Sequence, residues 1–371
     1  MNTSSPVFTD YLCELEEINK RILDIDPRAY DKTRNYLNGR VTWLSPFITH
    51  GVINTHQIAQ SVLQDHKAKS CYRLLFELGW REFFHRTWQL AEQDIFDDMR
   101  SAQVAVRSNE LPEAMINATT GIEVVDECLQ RLQDQGLMHN HARMWVAGIV
   151  CNMAGTYWKE PARWLHYHLL DGDLASNTLS WQWIAGTFSH KQYLANQDNV
   201  NKYSNSSQSG SWLDIAYEEF DNFSPPQHML TRCKFEYEQT LPGKPISSCA
   251  DAFSGSLALR SIWNLNPLWR TDIAKHIVFI DTQLAEQWPM SNKRWQFVEH
   301  WATHCNAEIY TGTIDQLKHA CAGVSVTREQ YTACNDWPGQ VTERDWLYPM
   351  PENDFSSFSQ YFKQVKKHVG L

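Results

Sequence analysis

Between residues 11 and 22 apolar side chains recur at intervals of three and four (Tyr11, Leu12, Leu15, Ile18, Ile22), the period of a helix with one buried face, and Pro27 breaks it. Residues 70–90 (SCYRLLFELGWREFFHRTWQL) are dense enough in apolar and aromatic side chains to predict a buried helix. Glu77, Trp80 and Arg81 fall there at i, i+3 and i+4 and share a face. From Gly121 to Leu132 a second amphipathic helix turns Val124, Val125, Cys128 and Leu132 inward, and Gly136 closes it. Residues 137–183 predict two helices joined by a polar, glycine-containing turn. Asn140, Arg143 and Met144 share a face with small Ala147, which leaves room for a ligand. The loop Asp171-Gly172-Asp173 then opens a helix that stacks Asn177 and Trp181 on one side.

Beyond this stretch the texture changes. Residues 191–210 are rich in Asn, Gln and Ser without helical period, and read as an ordered binding loop that fades into a flexible one. An apolar strand at 276–281 (HIVFID), a helix at 293–305, a strand at 308–311 and a helix at 314–322 predict a small, partly parallel α/β unit. No Gly-x-Gly-x-x-Gly follows the strand, so no dinucleotide site is expected in that unit. The boundaries implied are a helical domain over 1–211, a linker with helices over 212–270, and the α/β module over 271–371, whose aromatic tail docks back on the body.

With 371 residues the chain can bury a sizeable core. It has no apolar run long enough to span a membrane and no secretory leader pattern, so a cytoplasmic monomer is expected. Nine scattered cysteines without a Cys-x-x-Cys pair predict reduced thiols. His139 with His141, and His166 with His168, lie two apart on helices and diverge, so no metal is expected. A net charge of −10 argues against indiscriminate nucleic-acid binding while allowing a local basic cleft. Lys191 and Lys202 rim such a groove or belong to a solvated loop. Thr42 and Ser45 precede a helix and serve capping or phosphate binding equally well, and Glu77 with Arg81 reads as a helix ion pair or as a surface for a base. Sixteen tryptophans, many between Trp43 and Trp183, exceed what core filling normally uses.

The segments GLMHNHARMW, DGDLASNTLSWQW, FELGWREFF and TWLSP, over about Tyr30 to Asn201, resemble the flavin-binding helical domain of the DNA photolyase and cryptochrome family. The fold implied is mostly α, a photolyase-type FAD-binding domain with a small C-terminal α/β unit and without the usual N-terminal Rossmann-like antenna domain. The resemblance implies that FAD is held by Tyr30, Thr42, Leu44, Ser45, Arg81, Arg143, Asp171, Asp173 and Asn177. Val41 stands where relatives usually carry Thr. It further implies a lesion pocket of Glu77, Trp80, Asn140, Met144 and Trp183, of the kind that splits cyclobutane pyrimidine dimers, with Glu77 protonated. Asn177 at the flavin N5 position favours repair over the plant cryptochrome pattern. Trp181 and Trp158 match the first two members of an electron-transfer chain, while Ala105 stands at the third, so either another aromatic such as Trp145, Tyr157 or Trp164 completes it or photoreduction is slow. The expected partner is DNA containing pyrimidine dimers, preferably single-stranded. The competing expectation is a blue-light photosensor without repair, and no second chromophore is expected.

Overall fold

The computed structural model describes residues 5–189, 191–249, 253–348, 355 and 357–369. In chain order its helices are α1 (Leu15–Leu23), α2 (Pro27–Thr33), α3 (Ser45–Thr49), α4 (Thr55–Asp65), α5 (Ala68–Ala91), α6 (Glu113–Ile116), α7 (Glu123–Gln135), α8 (Asn140–Ala147), α9 (Lys159–His168), α10 (Leu174–Ala185), α11 (Gln197–Ser204), α12 (Thr282–Gln287), α13 (Asn292–His304), α14 (Ile314–Ala320) and α15 (Phe358–Val369). Its strands are β1 (Leu111–Pro112), β2 (Arg232–Cys233), β3 (Lys244–Pro245), β4 (Ser256–Arg260), β5 (Lys275–Asp281), β6 (Ala307–Gly312), β7 (Ser325–Glu329) and β8 (Gln340–Thr342). Among the described residues no helix is long and apolar enough to cross a membrane.

The chain groups into two compact units, one of residues 1–7, 25–42 and 70–236, the other of residues 8–24, 43–69 and 237–371. The first is helical. Its core holds Met115, Leu129, Trp145, Trp158, Trp164 and Trp181, all buried, so most of these tryptophans do serve packing. Helix α5 runs as predicted, and its buried Glu82 carries its own partner one turn on, Arg86, at 3.4 Å. Helix α7 ends at Gly136, whose left-handed backbone (φ 70°) supplies the stop expected from its sequence.

Residues 137–183 hold three helices rather than two. Helix α8 passes into a π-helical turn over Gly148–Met153, and the chain then breaks at Gly155 before α9. Gly155 has φ +68°, and a Cβ there would lie 2.8 Å from Arg107 Cγ and 2.9 Å from the Ala105 carbonyl oxygen, so the backbone turns where only glycine fits. The polar stretch 191–210 also differs from its reading as a loop, since Gln197–Ser204 is helical. Side-chain bonds replace the missing apolar stripe: Asn196 caps the Asn199 N–H, Gln197 Nε2 donates to Asn201 Oδ1, and only Val200 and Gln197 are buried.

The second unit carries a six-stranded sheet in the order β3-β6-β5-β4-β7-β8, every pairing parallel. The four predicted elements appear as β5, α13, β6 and α14, but the sheet is larger and more fully parallel than the alternation of four segments suggested. Strands β3 and β4 lie within 212–270, read as linker, because each is too short or too plainly buried to show alternation. Segments from the start of the chain join this unit through rings: Tyr11 meets Phe47 at 5.3 Å, and Phe47 meets Phe297 and Trp301 of α13, each at 5.9 Å. Residues 8–24 and 43–69 therefore do not group with the rest of 1–211. The aromatic tail packs as expected, with Tyr348, Phe358, Tyr361 and Phe362 buried, while residues 349–354 lie outside the described residues.

Candidate functional site

In the helical unit three helices converge on the short loop Asp171-Gly172-Asp173. Arg143 on α8 sends Nη2 to both Asp171 carboxylate oxygens, at 2.8 and 2.9 Å, and its Nε and Nη2 also donate to the Met138 carbonyl. This is a charge-assisted clamp that fixes the loop against the start of α8. From α5, Arg81 reaches Asp173 at 3.3 Å and His85 reaches the same oxygen at 2.9 Å. Asp173 also caps α10 by accepting the Ser176 N–H at 2.7 Å. Burial on its own would raise the Asp173 carboxyl, but His85 and Arg81, with the hydrogen bonds from His85 and Ser176, outweigh it and hold the group well below the usual carboxylate range. The loop is thus a rigid hub carrying fixed charge.

Each remaining residue of the predicted set can be placed relative to this hub. Asn177 lies on the first turn of α10, donating Nδ2 to the Ala162 carbonyl at 2.8 Å, and its Oδ1 is a further acceptor. Glu77 lies on α5 one turn before Arg81 and Trp80 directly before it, and Asn140 and Met144 flank Arg143 on α8, Asn140 exposed and Met144 half-buried. Trp183 closes the set on α10, 39% exposed between buried Gln182 and Ile184. Instead of pairing with Glu77, Arg81 goes to Asp173, while Arg34 takes Glu77 at 3.2 Å and Arg73, one turn earlier on α5, approaches it at 4.0 Å. Burial pushes the Glu77 carboxyl up, and the two arginines pull it back.

Tyr30 lies beside this group. Burial pushes its phenol above the ordinary value, Glu77 pushes it further, and Arg34 and Arg73 oppose both. Thr42 belongs to the same unit as Tyr30, whereas Leu44 and Ser45 fall in the second unit, with Ser45 opening the five-residue α3. The four residues expected around phosphates are therefore not assembled within one unit.

Trp181 of α10 and Trp158 share one buried cluster. Trp158 Nε1 donates to Asp98 Oδ1 at 2.7 Å. Lys202 sits over the Tyr203 ring at 5.1 Å and Lys191 is exposed, as a solvated cation or a phosphate contact requires. The sequence reading did not single out His85, Arg34, Arg73 or Asp98. His85 follows Arg81 by one turn, and Arg34 follows Tyr30 by one turn, so helical spacing carried a signal for both. Nothing local marks Asp98.

Residues 74–214 match the sequence profile described as the FAD binding domain of DNA photolyase. Over these residues the chain carries a domain of the photolyase and cryptochrome type. A deoxyribodipyrimidine photo-lyase of Streptomyces griseus is 31% identical over 150 residues, covering 39% of this chain and 32% of that protein. A cryptochrome DASH of Vibrio parahaemolyticus is 28% identical over 173 residues, covering 43% of this chain and 38% of its own length. The match thus spans about a third of these relatives' length. A crystal structure of a Synechocystis cryptochrome is similar with a TM-score of 0.47 at 23% identity, over 62% of this chain and 49% of that one.

The cofactor of this domain is FAD, and the residues at the hub fit it. Ser176 Oγ and Thr178 Oγ1, on either side of Asn177, are shut off from solvent with no hydrogen-bond partner among the described residues. Buried hydroxyls without partners are uncommon in a finished protein interior. With the Asn177 acceptor and the charged Asp171 and Asp173, they form a set of donors and acceptors suited to a polar heteroaromatic ligand and its ribityl hydroxyls.

Proposed function

We propose that this chain is a light-dependent carbon–carbon lyase that repairs cyclobutane pyrimidine dimers in DNA, with single-stranded DNA as its preferred substrate. The observation that carries the reading is that lesion-type side chains occupy the same three helices as the FAD hub. Glu77 and Trp80 lie next to Arg81, Asn140 and Met144 next to Arg143, and half-exposed Trp183 beyond Asn177. FAD held at the hub by Arg143, Asp171, Asp173 and Asn177 would, when reduced and lit, supply the electron needed to open the cyclobutane ring.

The protein's part is to bind and orient. A dimer flipped out of the strand packs its apolar faces on the Trp80 and Trp183 indoles. Asn140 offers an amide donor and acceptor to the pyrimidine carbonyl and imide groups. The Glu77 carboxyl, pushed up by burial, holds a proton at higher pH than an ordinary carboxyl and donates it as a hydrogen bond. Arg34 and Arg73 keep that carboxyl in place. Asn177 Oδ1 would offer the bound cofactor a neutral acceptor. Lys191 and Lys202 supply phosphate contacts on an otherwise acidic chain, and so narrow a basic footprint favours a strand that needs no unpairing.

The competing reading is a cryptochrome-like blue-light sensor, and relatives of both kinds exist. A sensor has no use for the Glu77, Trp80, Asn140, Met144 and Trp183 set, which favours repair. Repair rates on a dimer-containing oligonucleotide, single-stranded and in duplex, test the proposal. Light-dependent loss of the dimer, faster on the single strand, supports it; no loss with the flavin reduced leaves the sensor.

A further inference from the structure

Trp158 has no exposed surface, so an electron taken from it has to be replaced through a neighbour. Three aromatic side chains close to it in the sequence or core are candidates, and the geometry separates them. Trp145 and Trp164 are themselves fully buried; Trp145 Nε1 is committed to Asn199, and the Trp164 ring faces His168 and Phe235. Tyr157 differs on both counts. Its ring lies 5.9 Å from the Trp158 ring and is half-buried, reaching solvent. One carboxylate oxygen joins the two residues, because Asp98 Oδ1 accepts from Trp158 Nε1 at 2.7 Å and from the Tyr157 hydroxyl at 3.1 Å. Asp98 is itself held, with Oδ2 accepting the Gln103 N–H and Gln103 Oε1 taking the Trp158 N–H.

We propose that Tyr157 is the terminal electron donor to oxidised Trp158 and that Asp98 takes the phenol proton as the electron leaves. The oxidant is light-excited oxidised flavin, so the physiological role rests on the FAD reading above. The step balances. Trp158, having lost one electron, regains it from the Tyr157 phenol, whose O–H proton moves to Asp98 Oδ1. The products are neutral Trp158, a neutral tyrosyl radical and a protonated Asp98, and the net charge of the trio is unchanged. The coupling is needed because the phenol resists simple ionisation: burial, with Asp98 beside it, pushes its pKa up to about 12. A positioned base at hydrogen-bond distance lets charge and proton leave together. Asp97 also acts on the phenol and is paired with Lys159 at 2.9 Å.

Two flash experiments test this. In the first, a blue flash is given to the FAD-loaded protein with the flavin oxidised, and the radicals are followed by transient absorption and electron paramagnetic resonance. In the second, an ultraviolet flash photoionises tryptophans in the apoprotein, with the ejected electrons scavenged, so that no flavin takes part. The expected result in both is a tyrosyl signal growing as a tryptophan signal decays, slower in heavy water, and lost in Tyr157→Phe, which keeps the ring. Asp98→Asn should keep the ring contact and lose the isotope effect. A tyrosyl signal undiminished in Tyr157→Phe, from either flash, overturns the proposal. A tyrosyl signal from the ultraviolet flash alone leaves the proposal standing and overturns the flavin reading.

Discussion

Asp173→Asn removes one negative charge from the point where α5 meets the start of α10, and the consequence can be worked from the geometry. The carboxylate is 2% exposed, His85 is 4% exposed at 2.9 Å, and Arg81 is 16% exposed at 3.3 Å. Removing one partner of a buried ion pair costs about 3–5 kcal/mol, because the remaining charge stays desolvated and unpaired. Arg81 keeps an edge in water, so the lower end, about 3 kcal/mol, applies. Asn retains the cap on Ser176; Asp173→Ala loses it as well, adding about 1 kcal/mol. The acid side gives an independent signature. Because the folded-state pKa of Asp173 is depressed, its contribution is complete above the ordinary carboxylate pKa and drains away as the pH falls through the folded value. Wild type therefore loses stability on acidification by a route that the Asn variant lacks. Urea unfolding of the apoprotein at neutral and acid pH, followed by far-ultraviolet circular dichroism, measures both. A loss under about 1 kcal/mol at neutral pH, or identical acid slopes in the two proteins, would refute the claim that Asp173 is a charged hub.

Three further outcomes follow from named contacts. Asn177→Asp should replace a neutral acceptor by a carboxylate and forfeit the bond to the Ala162 carbonyl, so that the reduced cofactor reoxidises faster in air; an unchanged reoxidation rate counts against Asn177 facing the flavin. Lesion affinity should weaken as pH rises through the raised pKa of Glu77, since the donor proton is lost, and Glu77→Gln should bind with no such dependence; an equal pH profile in both removes Glu77 from recognition. Gly155→Ala should lower stability by at least about 1 kcal/mol, read as a drop in thermal midpoint, because the left-handed backbone and the Ala105 carbonyl leave no place for Cβ.

What the sequence revealed was local. The helix at 68–91, the glycine stop at 136, the cap at Asp173 and the strand at 275–281 each depend on neighbours within one or two turns, so spacing and residue type suffice. What it hid was long-range. That residues 8–24 and 43–69 group with the α/β sheet depends on Phe47, which packs on Tyr11, meeting Phe297 and Trp301 about 250 residues away in the chain. Helix α11 was missed because its stability comes from amide hydrogen bonds that carry no apolar period. At the candidate site, Arg143 and Asp171 were readable as a guanidinium and a carboxylate that can pair. The pairing of Glu77 with Arg34 across 43 residues, and of Asp98 with Trp158 across 60, needed the folded chain.

The central claim is that the helical unit couples FAD to a dimer held by Glu77, Trp80, Asn140, Met144 and Trp183. Its most direct test is to illuminate the FAD-reduced protein without oxygen, in the presence of a single-stranded oligonucleotide carrying one cyclobutane thymine dimer, and to count intact thymines. The account predicts restoration of thymines in light, none in the dark, and loss of repair without loss of FAD in Trp183→Ala. Full FAD occupancy with no restored thymine under light would contradict it.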